Sequence, residues 1–268
     1  MGLKELVDVN NEKLVIKHRL GNNSKINYEA EADEMRESLG DSLGDKKPIL
    51  TLEGDVMRLE KTGEIVLAHP PTAKYWGLYS HMSKEAFDNY REQGKAAYLG
   101  EILEKVSEYQ NRGHDIALSI EAKPTGTDAD VAKRTAKAVK EVGIERAYFY
   151  SFWQKHLEAF AKGNEEAGTD LPIGLTLMGR LTKMKPSELL GSSDVYPDIL
   201  VMPYMSDFVK DHEKPVIYGE VSGKEDARKI ALDDNALGFY WKGENKRSIS
   251  SMVKDYWGLG PENEEPFS

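Results

Sequence analysis

Eight short runs of apolar, β-branched and aromatic residues recur along the chain, separated by longer segments with helical spacing, and this alternation restricts the fold more than any other feature. The runs are Lys13–His18, Ile49–Val56, Ile116–Glu121, Ala147–Phe152, Ile173–Met178, Ile199–Met202, Val216–Val221 and Leu237–Trp241. Strands that are apolar on both faces and followed by helices form parallel sheets with the helices outside. Eight such units predict an α/β fold of the (β/α)8 TIM-barrel type, with its active site at the C-terminal ends of the strands. The length of 268 residues suits one such domain, since a barrel takes about 250 residues. The rival, an open doubly wound sheet, would carry a Gly-rich dinucleotide fingerprint early in the chain, and none is present.

Helices are predicted over Glu29–Leu39, Tyr98–Asn111, Ala129–Val142, Gln154–Ala161, Lys224–Leu232 and Ile249–Tyr256, with start signals at Thr127-Asp128 and Ser222. Glu64–Ala68 follows the turn Lys61-Thr62-Gly63 and is predicted to extend the second strand as a hairpin. Residues 70–94 are too long for a bare loop, which predicts an insertion after the second strand, over the barrel mouth. Asp41–Lys47 reads as a surface linker and residues 260–268 as a frayed tail, all within a single domain over residues 1–268.

Composition removes several classes of function. The formal charge of −10 argues against a surface built to coat nucleic acid or anionic lipid. The absence of cysteine excludes a disulfide, a zinc ribbon, an Fe–S centre and a thiol nucleophile. No stretch approaches the roughly 18 apolar residues of a membrane span, and the first residues lack the apolar core of a secretory signal. The expectation is a soluble, cytoplasmic protein without membrane insertion, or a secreted one if a signal has been removed.

The second run reads Thr51-Leu52-Glu53-Gly54-Asp55-Val56, and alternation turns Glu53 and Asp55 to one side. If Leu52 and Val56 face the helices, both carboxylates point into the mouth. Two buried carboxylates repel unless a cation lies between them. The third run ends Glu121-Ala122-Lys123, which adds a third carboxylate and a lysine. Three carboxylates suit a hard divalent cation, Mg²⁺ or Ca²⁺, better than zinc. His18-Arg19 closes the first run and His69 closes the hairpin, so two histidines, an arginine and a lysine are predicted beside the acidic trio. Tyr75 and Trp76 in the insertion, and Tyr204, Glu220 and Trp241 at later strand ends, are expected to line the pocket. His81, His114, His156 and His212 read as structural or solvated.

The motifs His18-Arg19, Leu52-Glu53-Gly54-Asp55-Val56, Gly63-Glu64-Ile65-Val66-Leu67-Ala68-His69 and Ile120-Glu121-Ala122-Lys123 together resemble the glycerophosphodiester phosphodiesterase family, one of the phospholipase-C-like phosphodiesterases. Tyr98–Glu104 and Ser151-Phe152 resemble family segments as well. The second run followed by Ala68-His69-Pro70-Pro71 is also similar to the menorin-type family of the same superfamily. The resemblance implies that His18 and His69 act as general acid and base, that Glu53, Asp55 and Glu121 hold the metal, and that Arg19 and Lys123 bind the substrate phosphate; Trp241 is placed with the substrate-binding residues by its strand-end position alone. Leu20 stands where the family has glycine, Pro70 where it has aspartate, and of its Pro-Glu-Asn-Thr turn only Asn27 remains.

The function expected is hydrolysis of glycerophosphodiesters or related phospholipid-derived diesters by a metal-dependent enzyme whose partner is a small-molecule phosphodiester, not nucleic acid. Two rivals stand beside it: a non-catalytic phosphate-ligand-binding barrel, motivated by Leu20 and Pro70, and a metal-dependent lyase or isomerase acting on a phosphorylated sugar.

Overall fold

Among the described residues ten strands follow one another: β1 (Glu12–Lys17), β2 (Lys47–Arg58), β3 (Ile65–Ala68), β4 (Ala96–Tyr98), β5 (Ile116–Ala122), β6 (Ala147–Ser151), β7 (Ile173–Thr176), β8 (Ile199–Pro203), β9 (Val216–Val221) and β10 (Ala236–Trp241). The computed structural model describes residues 2–69, 80–123, 128–177, 195–203 and 214–242. Eight of the strands, all but β3 and β4, pair in parallel around a closed ring in which β1 lies between β10 and β2. This is the (β/α)8 barrel that the alternation predicts.

Alternation along the strands explains the layers. Val15, Leu52, Val56, Leu118, Ile120 and Phe149 point outward into a core shared with the helices. Leu14, Ile16, Ile49, Ala117, Tyr148 and Tyr150 point inward and fill the barrel. Each helix lays an apolar stripe on the outer face, as with Ala32, Met35 and Leu39 of the helix Tyr28–Leu39 and Ile102, Leu103 and Val106 of Leu99–Asn111. A buried leucine or isoleucine stabilises the fold by roughly 1.5–3 kcal/mol, so these two layers supply most of the driving force.

Local signals set the helix ends. The Asn27 side chain accepts from the Ala30 amide, and Asp128 accepts from the Val131 amide at 3.0 Å, starting Ala129–Val142. Ser222 does not cap the helix Lys224–Ala231, whose N-cap is Gly223. The helix Gln154–Ala167 runs past the predicted end at Ala161 because Gly163 serves packing rather than termination. A Cβ there would meet the Lys133 amide nitrogen at 2.8 Å, so glycine lets this helix lie against Ala129–Val142. The segment Asp41–Lys47 is not a surface linker throughout, since Gly40–Leu43 forms a 3-10 turn that buries Ser42 and Leu43.

The hairpin positions part of the site. β3 runs antiparallel to the end of β2, with Val56 opposite Leu67, and the short strand β4 pairs with β3 on its far side. Of the predicted insertion, residues 70–79, with Pro70, Tyr75 and Trp76, lie outside the described residues. The rest forms the helix Lys84–Glu92, whose Phe87 packs on Met57, Val66, Ala68 and Ala96. The predicted helix Ile249–Tyr256 and tail 260–268 also lie outside the described residues. Among the described residues no helix is long and apolar enough to cross a membrane.

Candidate functional site

The site begins with parity on β2. Because Leu52 and Val56 are packed against the outer helices, Glu53 and Asp55 must project inward. The β2–β5 register then sets Glu121 directly beside Asp55. One ligand oxygen from each of Glu53, Asp55 and Glu121 lies within 4.8 Å of the others, and all three residues are buried.

Four neighbours hold this trio. The Lys123 ammonium lies 2.6 Å from Asp55 Oδ1 and 2.5 Å from Glu121 Oε1. Tyr150, projecting inward from β6, brings its hydroxyl to 2.9 Å from Glu53 Oε1 and 3.1 Å from Glu121 Oε2. Asn22 donates from Nδ2 to Asp55 Oδ2 at 2.7 Å and accepts from the Asp55 amide at 2.9 Å, so it clasps that residue twice. The Arg19 amide donates to Glu53 Oε2 at 2.5 Å.

These contacts leave negative charge in excess, three carboxylates against one ammonium. A single hydroxyl proton cannot serve both glutamates at once. Burial, reinforced by Asp55, pushes Glu53 up to about 7. Burial also pushes Glu121 up to about 7, against the opposing pull of Lys123. Asp55 goes the other way: burial would raise it, yet Lys123 and the imidazoles of His69 and His18 carry it down to about 2. An all-oxygen donor set with buried excess charge fits a hard divalent cation, which Glu53, Asp55 and Glu121 could hold.

The two histidines stand beside the carboxylates. His18, one residue past β1, has its Nε2 3.9 Å from Glu53 Oε2, and its ring centroid lies 6.3 Å from that of His69. Burial among the site groups and the Arg19 cation push His18 down to about 4, while 37 % of its side chain still meets solvent. His69 arrives by the hairpin, since continuing the β3 register beyond Ala68 carries the chain back alongside Gly54. The Arg19 guanidinium lies 2.9 Å from His69 Nε2. A guanidinium has donors only, so Nε2 accepts and the ring proton of His69 sits on Nδ1.

Arg19 reaches Glu53 and His69 together because its backbone is left-handed, with φ 62°. The turn that follows needs glycine at position 21, where a Cβ would stand 2.9 Å from the Glu53 carbonyl oxygen. Gly21→Ala is therefore expected to push the turn off β2, release the Asn22 clasp on Asp55 and destabilise the protein by about 1–3 kcal/mol. Thermal melting of the two proteins checks this, and an unchanged melting temperature would count against a turn packed this tightly.

Of the site residues predicted from sequence, His18, Arg19, Glu53, Asp55, His69, Glu121 and Lys123 come together at the mouth. Trp241 does not join them: its indole N–H donates to Ser38 Oγ at 2.6 Å, on the helix Tyr28–Leu39, so its side chain lies outside the barrel. The β9–β10 pairing is irregular between Phe239 and Trp241, and it is Tyr240 that faces inward, 6.2 Å from His18 between ring centroids. Glu220, with φ 45°, is ion-paired to Lys242 at the ends of β9 and β10. Tyr204 and His212 lie outside the described residues. His81 pairs with Glu60, His114 packs edge-on to Tyr28 and Tyr109, and buried His156 hydrogen-bonds Ser151. Sequence reasoning missed Asn22, Tyr150 and Tyr240. The alternation of Tyr148 and Tyr150 with outward Phe149 was the available signal for Tyr150.

No protein-family model matches the sequence, and no curated protein is similar to it at a significant level. Solved structures are similar in fold. A protein from Silicibacter pomeroyi DSS-3 assigned as a glycerophosphoryl diester phosphodiesterase superposes with a TM-score of 0.55 at 16% identity, over 89% of this chain and 93% of that one. A glycerophosphodiester phosphodiesterase from Parabacteroides distasonis ATCC 8503 superposes with a TM-score of 0.55 at 17% identity, over 86% of this chain and 93% of that one. The likeness is one of fold, along nearly the whole of each chain.

Proposed function

We propose that the protein is a divalent-cation-dependent phosphodiesterase of the phospholipase-C-like superfamily, acting on glycerophosphodiesters or related phospholipid-derived diesters. One observation carries this reading: three buried carboxylates within ligand reach of a single cation meet two histidine rings and an arginine at the open end of the barrel. The resemblance in the motifs around those same residues, and the fold shared with two phosphodiesterases, support it.

In this reading Glu53, Asp55 and Glu121 would hold Mg²⁺ or Ca²⁺, which when bound would supply positive charge to a phosphoryl oxygen. Arg19 offers a planar pair of donors to the phosphate, and the charge that grows there in the transition state strengthens those bonds. His18, neutral at pH 7 because it is held near 4, takes the proton from the attacking oxygen, either water or a neighbouring hydroxyl of the substrate. Once the phosphate has drawn Arg19 off it, His69 Nε2 takes up a proton from solvent, and the imidazolium so formed gives that proton to the leaving alcohol.

The test is an assay of glycerophosphocholine and an aryl phosphodiester with the metal-stripped protein, before and after Mg²⁺ or Ca²⁺ is restored. Hydrolysis that needs the cation is expected. Tight binding of a diester with no product at high protein concentration would replace this reading with that of a non-catalytic barrel.

A further inference from the structure

The lysine of the site is buried against its carboxylates. Lys123 follows β5 directly, is only 5% exposed, and bridges Asp55 Oδ1 and Glu121 Oε1 with its ammonium. A divalent cation ligated by those same oxygens would sit about 2.0–2.6 Å from each of them. That is the separation the ammonium already has, so cation and ammonium compete for one volume as well as repelling one another.

We propose that Lys123 is the resident counter-cation of the metal-free site and that a divalent metal displaces it toward the mouth, where it becomes available to an anionic substrate. The inference rests on the metal reading above and adds to it a coupling: metal entry arms the phosphate-binding lysine. Three features make the exchange physically reasonable. The metal-free protein cannot leave three buried carboxylates without compensation, and Lys123 provides part of it, on Asp55 and Glu121. Its ammonium meets one oxygen of Asp55 and one of Glu121 at once, so its departure frees an oxygen on each of two residues. Its flexible four-carbon stem is rooted at the strand end, so the head can leave without moving β5. By linkage, an anion that engages the released lysine tightens metal binding by the same factor that the metal tightens the anion.

The experiment compares the full-length wild type with Lys123→Met, which keeps the stem and removes the charge. Mg²⁺ and Ca²⁺ are titrated into each stripped protein by calorimetry without substrate, at about pH 8, where protons compete least. Lys123→Met is expected to bind the metal at least about tenfold tighter, because no ammonium must be expelled. Its metal-free form is expected to melt about 10 °C lower, because buried carboxylates lose their partner. Independently of folding in the variant, wild-type Lys123 is labelled with an amine reagent and read by mass spectrometry: protection without metal and labelling at least about tenfold faster with it are expected. If wild type binds the metal, Lys123→Met binds it no tighter and Lys123 stays protected, the displacement is overturned and the metal site stands. If neither protein binds either cation, the metal reading falls and takes the displacement with it.

Discussion

Replacing Glu53 by glutamine is expected to lower phosphodiester hydrolysis by at least about a thousandfold while leaving the metal-free protein as stable as the wild type or more so. The two effects part company because of the electrostatics of the trio. Glu53 is pushed up to about 7 by burial and by Asp55, so its charge is unwelcome in the metal-free fold. Glutamine keeps the acceptor for the Arg19 amide and the shape that meets Tyr150, and it removes the charge. Asp55→Asn should abolish activity as well, but at a cost in stability, since Asp55 is the depressed member and Lys123 leans on its charge. The pH dependence follows with a definite sign. A carboxyl whose folded value exceeds its unfolded value binds more protons when folded, so stability falls as pH rises from about 4.5 toward 7 and beyond. Stripped wild type should therefore melt progressively lower across that window, and Glu53→Gln should lose less. Melting curves of both proteins in chelator decide the matter: a Glu53→Gln protein that is less stable than wild type above pH 7 would mean that the carboxylate is needed structurally.

The histidines should divide by leaving group. His18→Ala is expected to slow alkyl and aryl diesters alike, by about 10²–10⁴, because the base acts before the leaving group matters. His69→Ala should slow the alkyl diester by a similar factor and spare an aryl diester, whose phenolate departs without a proton. Since His18 is held near 4, only the part of the acidic limb near pH 4 should vanish in His18→Ala, while the fall set by protonation of Glu53 and Glu121 near 7 remains. Rates of both variants on both substrates across pH supply the check. Wild-type rates for His69→Ala on every substrate would remove it from the chemistry.

Much of the architecture could be read from the chain because its strands are apolar on both faces, and a strand buried twice announces itself in sequence. The acidic trio was legible for a narrower reason: Leu52 and Val56 set the parity of β2, and parity alone sends Glu53 and Asp55 inward. Residues whose role depends on a partner far along the chain were not legible. Tyr150 looks like one more aromatic in a buried strand until Glu53 and Glu121 are brought to its hydroxyl. Asn22 sits in a short turn with no periodicity, and only the close pass of Gly21 over β2 brings it to Asp55. Trp241 failed because being last in a strand says nothing about face: Phe239 and Trp241 share the outer face, and Tyr240 between them is the one that points inward.

The closed ring has one further consequence, for fidelity. β2 is hydrogen-bonded along one edge to β1 and along the other to β5. A slip of one residue would exchange Glu53 and Asp55 for Leu52, Gly54 and Val56 inside the barrel, erasing the acidic site at a stroke. On an edge strand such a slip breaks one ladder; here it must break two at once while driving three apolar neighbours out of the core. Loops can thus lengthen, shorten or drift in sequence without misaligning the carboxylates, and the barrel works as a proofreading frame for a few side chains whose spacing along a strand no loop can alter.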